Sequence, residues 1–404
     1  MKSIKRSVYT KQIIPYINKQ VIKVLAGQRR VGKSYIMMQI MEYIQNTDHD
    51  ANIVYINMEF EEFNSIKTHT DLNAYLKDKF PEGKNNYFFI DEVQEVASFE
   101  RSLRSLLAKN ICDIYCTGSN ANMLSGELAT LLSGRYIAFH IHSLSYLEFL
   151  EFHQMENKLD SLTQYLKYGG MPFLTSIGLK DELPFEYLRN VYSTILLKDV
   201  VARENIRNVS FLENLVSFLA DNTGSLFSAN NISKYLKSQR VDISPQLTIN
   251  YLKALSSAYF VHKVVRSEVG GLKIFEIGEK YYFEDIGLRN AIVGFNQRAD
   301  MHKLLENAIY LHLIQQDYKV FVGKMGDKEI DFVGVKGGAK LYVQACLTFN
   351  QETTNYREFG NLLQIDDNYP KYVVTLNDVS IGESKDGIIH RNLIDFLTTN
   401  QGQQ

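Results

Sequence analysis

The first 145 residues alternate between short apolar runs and longer amphipathic segments. Residues 98–109 show the amphipathic type, with apolar side chains on one stripe at helical spacing, namely Phe99, Leu103, Leu106 and Leu107. The short runs have the length of buried strands and comprise residues 21–26, 52–57, 87–91, 112–118 and 135–141. Strands that alternate with helices predict an α/β fold, with a parallel five-stranded sheet flanked by helices.

The pattern changes between residues 206 and 275. Three amphipathic segments come first, at residues 211–224, 228–238 and 244–258. Two strand-like runs follow, joined by a glycine-rich turn, at residues 259–267 and 273–285. Three helices followed by a hairpin predict a winged-helix domain.

The third helix of a winged-helix domain can enter a DNA groove. Candidate base contacts on this helix are Gln246, Thr248, Asn250 and Lys253. Candidate phosphate contacts are Lys234, Lys237 and Arg240. The segment is only mildly basic, so a role in packing or dimerisation is an equal alternative to DNA binding.

The last third of the chain has its own layout of carboxylates. Residues 301–316 predict an apolar helix that carries Glu306, and residues 328–335 predict a strand that carries Asp331. A further strand is predicted at residues 340–349. Restriction-type nucleases place a helix glutamate, a strand aspartate and a strand E-x-K in this order, so that carboxylates hold Mg²⁺ and the lysine assists water.

Residues 27–34 read GQRRVGKS, which matches the phosphate-binding P-loop pattern G-x-x-x-x-G-K-[ST]. Glycines allow the backbone N–H groups to surround a phosphate, and the helix that follows adds a partial positive charge. Lys33 is expected to reach the β- and γ-phosphates of ATP, and the Ser34 hydroxyl to ligate Mg²⁺. The residues expected to contact the nucleotide in this loop are Gly27, Gln28, Arg29, Arg30, Val31, Gly32, Lys33 and Ser34.

A second motif supports ATP and Mg²⁺ as ligands. Residues 87–94 read YFFIDEVQ, an apolar strand that ends in two carboxylates, as a Walker B strand does. Asp91 is expected to hold Mg²⁺, and Glu92 to orient the attacking water. Because successive strand side chains point in opposite directions, the two carboxylates can serve metal and water separately.

Further polar residues are expected at the same edge of the sheet, because ligands of open α/β sheets bind beyond the carboxyl ends of the strands. Ser119 and Asn120 follow the fourth strand, where a sensor of the γ-phosphate or the water would lie. We favour Ser119, although an ordinary turn would explain both residues equally well. Arg135 is also placed at this edge as a candidate catalytic residue.

These motifs resemble the core of a family of prokaryotic AAA-type ATPases. Besides GQRRVGKS and YFFIDEVQ, the runs CTGSNANML, LLSGRYIAFHIHSLSYLEFL, LKYGGMPFL and LLKDVVARENI are similar to that family. Met171 stands where the family usually has an aromatic residue. The resemblance covers nearly the whole chain, and it implies a catalytic glutamate beside the Walker B aspartate. Arg135 matches the family's GR, which leaves open whether it acts on its own nucleotide, on a neighbour's, or as a cap of the sheet.

The family's C-terminal domain commonly shows EVDF followed by E-V-K. This chain has EIDF, and then Gln344 and Cys346 where the resemblance implies a carboxylate and a lysine. Glutamine lacks the charge that binds a hard cation, and cysteine cannot replace an ammonium. Glu329 shares a strand face with Asp331 and offers a substitute carboxylate, but the sequence shows no substitute for the lysine. The domain is therefore expected to bind or to support structure without cleaving.

Composition and charge narrow the class of protein further. Of the 404 residues 45% are hydrophobic and 22% charged, as in globular proteins with sizeable cores. The net charge of −2 argues against a surface generally coated by nucleic acid, although residues 1–41 carry nine Lys or Arg and no Asp or Glu. That basic excess indicates either a nucleic-acid contact or a solvated helix face.

The three cysteines are too few for a disulfide framework, and we interpret Cys112 and Cys116 as core thiols of a protein in a reducing cytoplasm. No run is long enough for a membrane span, and no signal peptide is expected.

Four segments are expected. They are an ATPase domain at residues 1–145, a helical lid or connector at 146–205, a winged-helix domain at 206–275 and a nuclease-like domain at 276–404. The leading hypothesis is an ATPase whose nucleotide state controls how the C-terminal domains engage DNA or another macromolecule. The alternatives are a regulatory switch without hydrolysis and an ATP-licensed nuclease. A protein partner and a homo-oligomer are both compatible with the sequence.

Overall fold

A computed structural model describes residues 4–121, 134–180, 182–238, 244–269, 274–347, 360–376, 382–383 and 387–399. The chain divides into two compact units. The first comprises Met1–His142 with Ser257–Tyr259, and the second comprises Ser143–Ser256 with Phe260–Gln404. Within the described residues, every helix is too short or too polar to cross a membrane.

The first unit contains a five-stranded sheet, as the alternation of strands and helices predicts. Its strands are β1 Ile22–Ala26, β2 Asn52–Asn57, β3 Asn86–Asp91, β4 Asp113–Gly118 and β5 Tyr136–His140. The spatial order is β2-β3-β4-β1-β5, and all the neighbouring pairs are parallel. The parallel sheet is confirmed.

Helices cover this sheet, and the apolar residues of strands and helices meet in a buried core. The α-helices among the described residues are Ser7–Ile13, Lys33–Thr47, His69–Leu76 and Phe99–Lys109. Leu103, Leu106 and Leu107 from the predicted stripe are buried in this core, together with Cys116. Burial raises the pKa of the Cys116 thiol to about 12, as suits a thiol in an apolar core.

The second unit contains an eight-stranded mixed sheet. Its strands are β6 Val261–Glu268, β7 Ile274–Phe283, β8 Lys319–Met325, β9 Lys328–Lys336, β10 Ala339–Cys346, β11 Lys371–Thr375, β12 Gly382–Glu383 and β13 Ile388–Asn392. Their order is β12-β13-β11-β10-β9-β8-β6-β7. The expected boundary after residue 275 lies inside β7, and β6 pairs in parallel with β8. The hairpin and the nuclease-like strands therefore form one sheet.

The helices of the second unit include the three that precede the hairpin. The described helices are Tyr146–His153, Leu159–Tyr168, Leu174–Ile177, Leu183–Thr194, Val209–Asp221, Ala229–Ser238, Pro245–Ser257, Ile286–Val293, Met301–Gln315 and Leu393–Thr398, with a π-helix at Ile195–Ala202. Met301–Gln315 is buried over most of its length and carries Glu306 against the sheet. Leu305, Ile309 and Phe332 belong to the core between this helix and the strands.

Candidate functional site

The loop after β1 owes its shape to two glycines. All five residues of β1 are buried, so the loop begins from a fixed strand end. A Cβ on Gly27 would lie 2.1 Å from the Ile141 carbonyl oxygen, and Gly32 has a φ of 97°, which favours glycine. The helix Lys33–Thr47 begins directly after Gly32. The sequence thus specifies a tight strand-loop-helix turn of the phosphate-binding type.

Lys33 lies inside this loop. Its side chain is only 4% exposed, and Nζ donates hydrogen bonds to the carbonyl oxygens of Gly27 at 3.0 Å and Gln28 at 2.9 Å. The Gln28 side chain is also buried, and its amide makes no hydrogen bond within the described residues. A buried ammonium and an unpaired buried amide in one loop fit a polar ligand such as a phosphate group.

Ser34 and Asp91 lie side by side, one at the start of the helix and the other at the end of β3. The Ser34 hydroxyl and the Thr117 hydroxyl both form hydrogen bonds with the Asp91 carboxylate. Burial raises the pKa of Asp91, and these two hydrogen bonds partly offset that effect. A hydroxyl and a carboxylate oxygen in contact are the donors that Mg²⁺ takes in P-loop sites, so the donor set fits this ion.

Glu92 has a different environment from Asp91. Its backbone is left-handed, with a φ of 55°, and its N–H donates to Thr117 Oγ1 at 2.9 Å. Ser119 Oγ donates to Glu92 Oε2 at 3.3 Å, and the Gln94 amide donates to the same oxygen. Burial alone would raise the pKa of Glu92, but the charges of Lys33 and Arg29 lower it below its ordinary value. Glu92 is therefore an ionised, oriented carboxylate beside the loop.

The other predicted loop and sensor residues differ in accessibility. Arg29 and Val31 are buried, whereas Arg30 is exposed and has a φ of 70°. Ser119 is fully buried against Glu92, and Asn120 follows it in a half-buried position. Of the two sensor candidates, the structure brings Ser119 to the carboxylate.

Arg135 lies elsewhere. It precedes β5, and its carbonyl oxygen accepts a hydrogen bond from the N–H of Ile22, the first residue of β1. The phosphate loop follows the last residue of β1, so within one chain Arg135 lies at the opposite edge of the sheet. Its side chain is exposed. The expectation that Arg135 joins the nucleotide-binding edge of its own chain is wrong.

Two basic residues near the amino terminus are structural. The Arg6 guanidinium donates to the Val31 carbonyl oxygen at 2.9 Å and supports the phosphate loop from outside. Lys23 is buried in β1 and pairs with Asp113. Part of the basic excess in residues 1–41 therefore faces the interior, which weakens its interpretation as a nucleic-acid surface.

Sequence analysis missed several groups around the site, including Thr117, Gln94 and Glu59. Glu59 follows β2 and accepts a hydrogen bond from Arg29 Nη1 at 3.0 Å. Thr117 lies at the end of β4, next to Asp91 in the sheet, and could have been found from that position. The contact of Arg6 with the loop could not have been found in this way, because it joins residues that are 25 positions apart in the chain.

In the second unit, the nuclease-like residues surround a lysine that sequence analysis missed. Lys280 in β7 is 3% exposed, and its Nζ lies 3.0 Å from Glu329 Oε1 and 3.3 Å from both Glu306 Oε2 and Asp331 Oδ1. Burial alone would lower the pKa of Lys280, but the three carboxylates raise it, so the ammonium stays charged. The expectation that no lysine accompanies these carboxylates is therefore wrong.

Protein donors contact both oxygens of two of these carboxylates. For Glu306, Tyr282 donates to Oε2 at 2.8 Å, and His302 lies 3.2 Å from Oε1. For Asp331, the Ala345 N–H donates to Oδ2 at 2.9 Å. Burial and the charge of Asp331 raise the pKa of Glu306 to about 7, an effect that Lys280 reduces.

The two candidate residues on β10, Gln344 and Cys346, are both uncharged. Gln344 is buried and its Oε1 accepts a 3.4 Å hydrogen bond from the Asp331 N–H, while Cys346 is half-buried at the end of the strand. Neither adds charge to the cluster, whose ammonium comes from β7 rather than β10.

The candidate DNA-contact residues divide into accessible and buried ones. Thr248 is 0% exposed, and its hydroxyl donates to the Ser244 carbonyl oxygen at 3.3 Å, so the expectation that it contacts DNA is wrong. Gln246, Asn250, Lys253, Lys234 and Lys237 are exposed, and Arg240 lies outside the described residues.

The parallel sheet, the loop after β1 and the carboxylates at the end of β3 define the class as a P-loop AAA-type ATPase fold. Residues 19–150 match a family model described as an AAA domain, and residues 159–299 match one described as a domain of unknown function.

The chain is 37% identical over 379 residues to an uncharacterized protein of Haemophilus influenzae, covering 92% of this chain and 93% of that protein. It is 30% identical over 355 residues to an uncharacterized protein of Methanocaldococcus jannaschii, covering 83% and 77%. The chain belongs to the same family as these two proteins. Among solved structures, the Walker-type ATPase of Pyrococcus abyssi is similar with a TM-score of 0.48 and 13% identity, over 71% of this chain and 95% of that one.

Proposed function

We propose that this protein is a Mg²⁺-dependent ATPase whose nucleotide state controls how its C-terminal region engages DNA or another macromolecule. The observation that carries the proposal is the pair of adjacent carboxylates at the end of β3. Asp91 contacts the Ser34 hydroxyl, whereas Glu92 is ionised and contacts Ser119 and Gln94. The two environments divide the tasks of holding a metal and directing water.

In this proposal each residue has a defined task. Lys33 and the N–H groups of the loop bind the phosphates, and Ser34 and Asp91 would hold Mg²⁺. The bound ion would neutralise charge on the phosphate oxygens. Glu92 orients the attacking water and accepts its proton. The new bond joins the water oxygen to the γ-phosphorus, the bond to the β–γ bridging oxygen breaks, and ADP keeps its electron pair.

Steady-state phosphate release, measured with Mg²⁺ and in the presence or absence of DNA, tests this function. Lys33→Ala should weaken ATP binding, because a buried cation is lost from the phosphate loop. Glu92→Gln should keep binding and slow release. Wild-type turnover that is indistinguishable from that of Glu92→Gln would remove the hydrolytic role. ATP binding without any turnover would favour the alternative, a nucleotide-gated regulatory switch.

The proposed macromolecular partner would contact the helices that precede the β6–β7 hairpin. The helices before the β6–β7 hairpin have the order of a winged-helix domain, and Gln246, Asn250 and Lys253 are exposed on its third helix. These side chains offer hydrogen-bond donors and one cation to a DNA groove. A protein partner or a second copy of the chain is the alternative to DNA. We place this activity in the cytoplasm.

We further propose that the nuclease-like site of the C-terminal region, which comprises Glu306, Glu329 and Asp331, does not cleave DNA. Lys280 Nζ occupies the position between these carboxylates, within 3.3 Å of each. The Lys280 ammonium therefore supplies the positive charge that a metal ion would bring. In addition, protein donors already contact both oxygens of Glu306 and of Asp331. The ATP-licensed nuclease remains the alternative, and cleavage of DNA by the wild type would support it.

A further inference from the structure

Arg29, the third residue of the phosphate loop, is buried and held by a carboxylate from another strand end. The Arg29 side chain is 4% exposed, and Nη1 donates to Glu59 Oε1 at 3.0 Å. The turn that carries Glu59 is fixed, because its N–H donates to Asn57 Oδ1 at 2.9 Å. Asn57 is the register partner of Asp91 in the sheet. Glu59 therefore lies at the same edge as the two motif carboxylates.

Glu59 holds the Arg29 guanidinium at the edge of the sheet that also carries Asp91, because Glu59 closely follows Asn57, the register partner of Asp91. This is the edge where the terminal phosphate of a bound ATP would lie. Arg30 is in the same loop but is exposed, and Arg135 lies at the opposite edge.

The two members of the Arg29–Glu59 ion pair differ in their exposure to water. The Glu59 side chain is 45% exposed, so water can solvate its carboxylate when the pair opens. Arg29 is only 4% exposed, so water cannot replace the carboxylate beside it in the same way. A ligand with more negative charge than one carboxylate would therefore compete well for Arg29. The terminal phosphate of ATP is such a ligand, whereas ADP lacks that phosphate.

We propose that Arg29 binds the γ-phosphate of ATP within its own chain, and that Glu59 holds the guanidinium when that phosphate is absent. The inference rests on the proposed ATPase function. It gives the protein a means of distinguishing ATP from ADP that needs no second subunit. Arg29 would stabilise the charge on the transferred phosphoryl group, and Glu59 would compete with that group for the guanidinium.

The experiment compares dissociation constants of the full chain with Mg²⁺ for ADP and for a non-hydrolysable ATP analogue. Arg29→Ala should weaken analogue binding about 10- to 100-fold, because a charge-assisted contact is lost, and should change ADP binding only a few-fold. Arg29→Lys should fall between, since it keeps the charge without the two-donor geometry. Glu59→Gln should tighten analogue binding, because the competing charge is removed.

Arg104→Ala and Glu62→Gln are matched controls, since both side chains are exposed in the same unit. Equal weakening of ADP and analogue in Arg29→Ala, or unchanged analogue affinity in Glu59→Gln, would overturn the inference. If Arg29→Ala fails to fold, the Glu59→Gln measurement decides alone. Failure of the wild type to bind either nucleotide would instead contradict the proposed function.

Discussion

Replacing Lys280 with methionine should lower the unfolding temperature of the second unit. Methionine fills a similar volume, so the change removes charge more than packing. Lys280 and Glu306 are each 4% exposed at their side chains, and Asp331 is 10% exposed, whereas Glu329 at 30% is partly solvated. Removing one member of a buried ion cluster costs about 3–5 kcal/mol. For a unit of this size that corresponds to roughly 10 °C.

Differential scanning calorimetry at pH 8 measures the loss in unfolding temperature. Comparing scans with and without Mn²⁺ tests whether this loss comes from the missing positive charge. Lys280→Ala leaves room between the three carboxylates, so Mn²⁺ should bind there and restore part of the lost stability. The wild type should show no such gain from this site. Lys263→Met is the matched control, because Lys263 is on the neighbouring strand β6 and is half-exposed. An unfolding temperature for Lys280→Met within a degree or two of the wild type would refute the reasoning.

Three further predictions concern Arg135, the cleavage of DNA and the carboxyl group of Glu306. Arg135→Ala should leave turnover within a few-fold of wild type at concentrations where the protein is monomeric, and a large loss that appears only at high concentration would indicate action on a neighbouring copy. Purified wild type with ATP and Mg²⁺ or Mn²⁺ should leave single- and double-stranded DNA intact on gels, and cleavage abolished by Asp331→Ala would contradict the non-cleaving proposal. The folded-state pKa of Glu306 is raised from 4.5 to about 7, so between these pH values the folded protein binds more protons than the unfolded chain. The free energy of unfolding should therefore fall as pH rises through this range. Glu306→Gln should therefore gain stability relative to wild type from pH 5 to pH 8 in urea titrations, and parallel pH curves would contradict the raised pKa.

The fold of the first unit could be predicted because its information is local. Each strand is a short apolar run, and each helix has a 3.6-residue period, so their alternation specifies a parallel sheet without knowledge of distant contacts. The phosphate loop was predictable for the same reason, since Gly27 and Gly32 meet steric demands within a few residues. Asp91 and Glu92 followed from their position at the end of an apolar run.

The position of Arg135 could also have been deduced from the direction of its strand. Parallel strands point the same way, so a residue that precedes a strand lies at the edge opposite to residues that follow one. Arg135 precedes β5, whereas Asp91 ends β3 and Gly27 follows β1.

Other features depend on pairing between distant segments. Lys280 reaches Glu306 and Asp331 because β6 pairs with β8, a contact across more than 50 residues that no local period reveals. The buried position of Thr248 depends on the rotation of its helix against the rest of the unit. This rotation does not follow from the sequence of a segment with several polar residues.

The most direct test of the central claim is the identity of the nucleotide that remains bound after a single turnover. Wild type and Glu92→Gln would each be mixed with a sub-stoichiometric amount of labelled ATP and Mg²⁺, separated from free nucleotide and analysed by chromatography. We expect ADP on the wild type and ATP on Glu92→Gln, because the variant keeps Lys33, Ser34 and Asp91 but loses the carboxylate that directs water. ADP formed at equal rates on both proteins would contradict it.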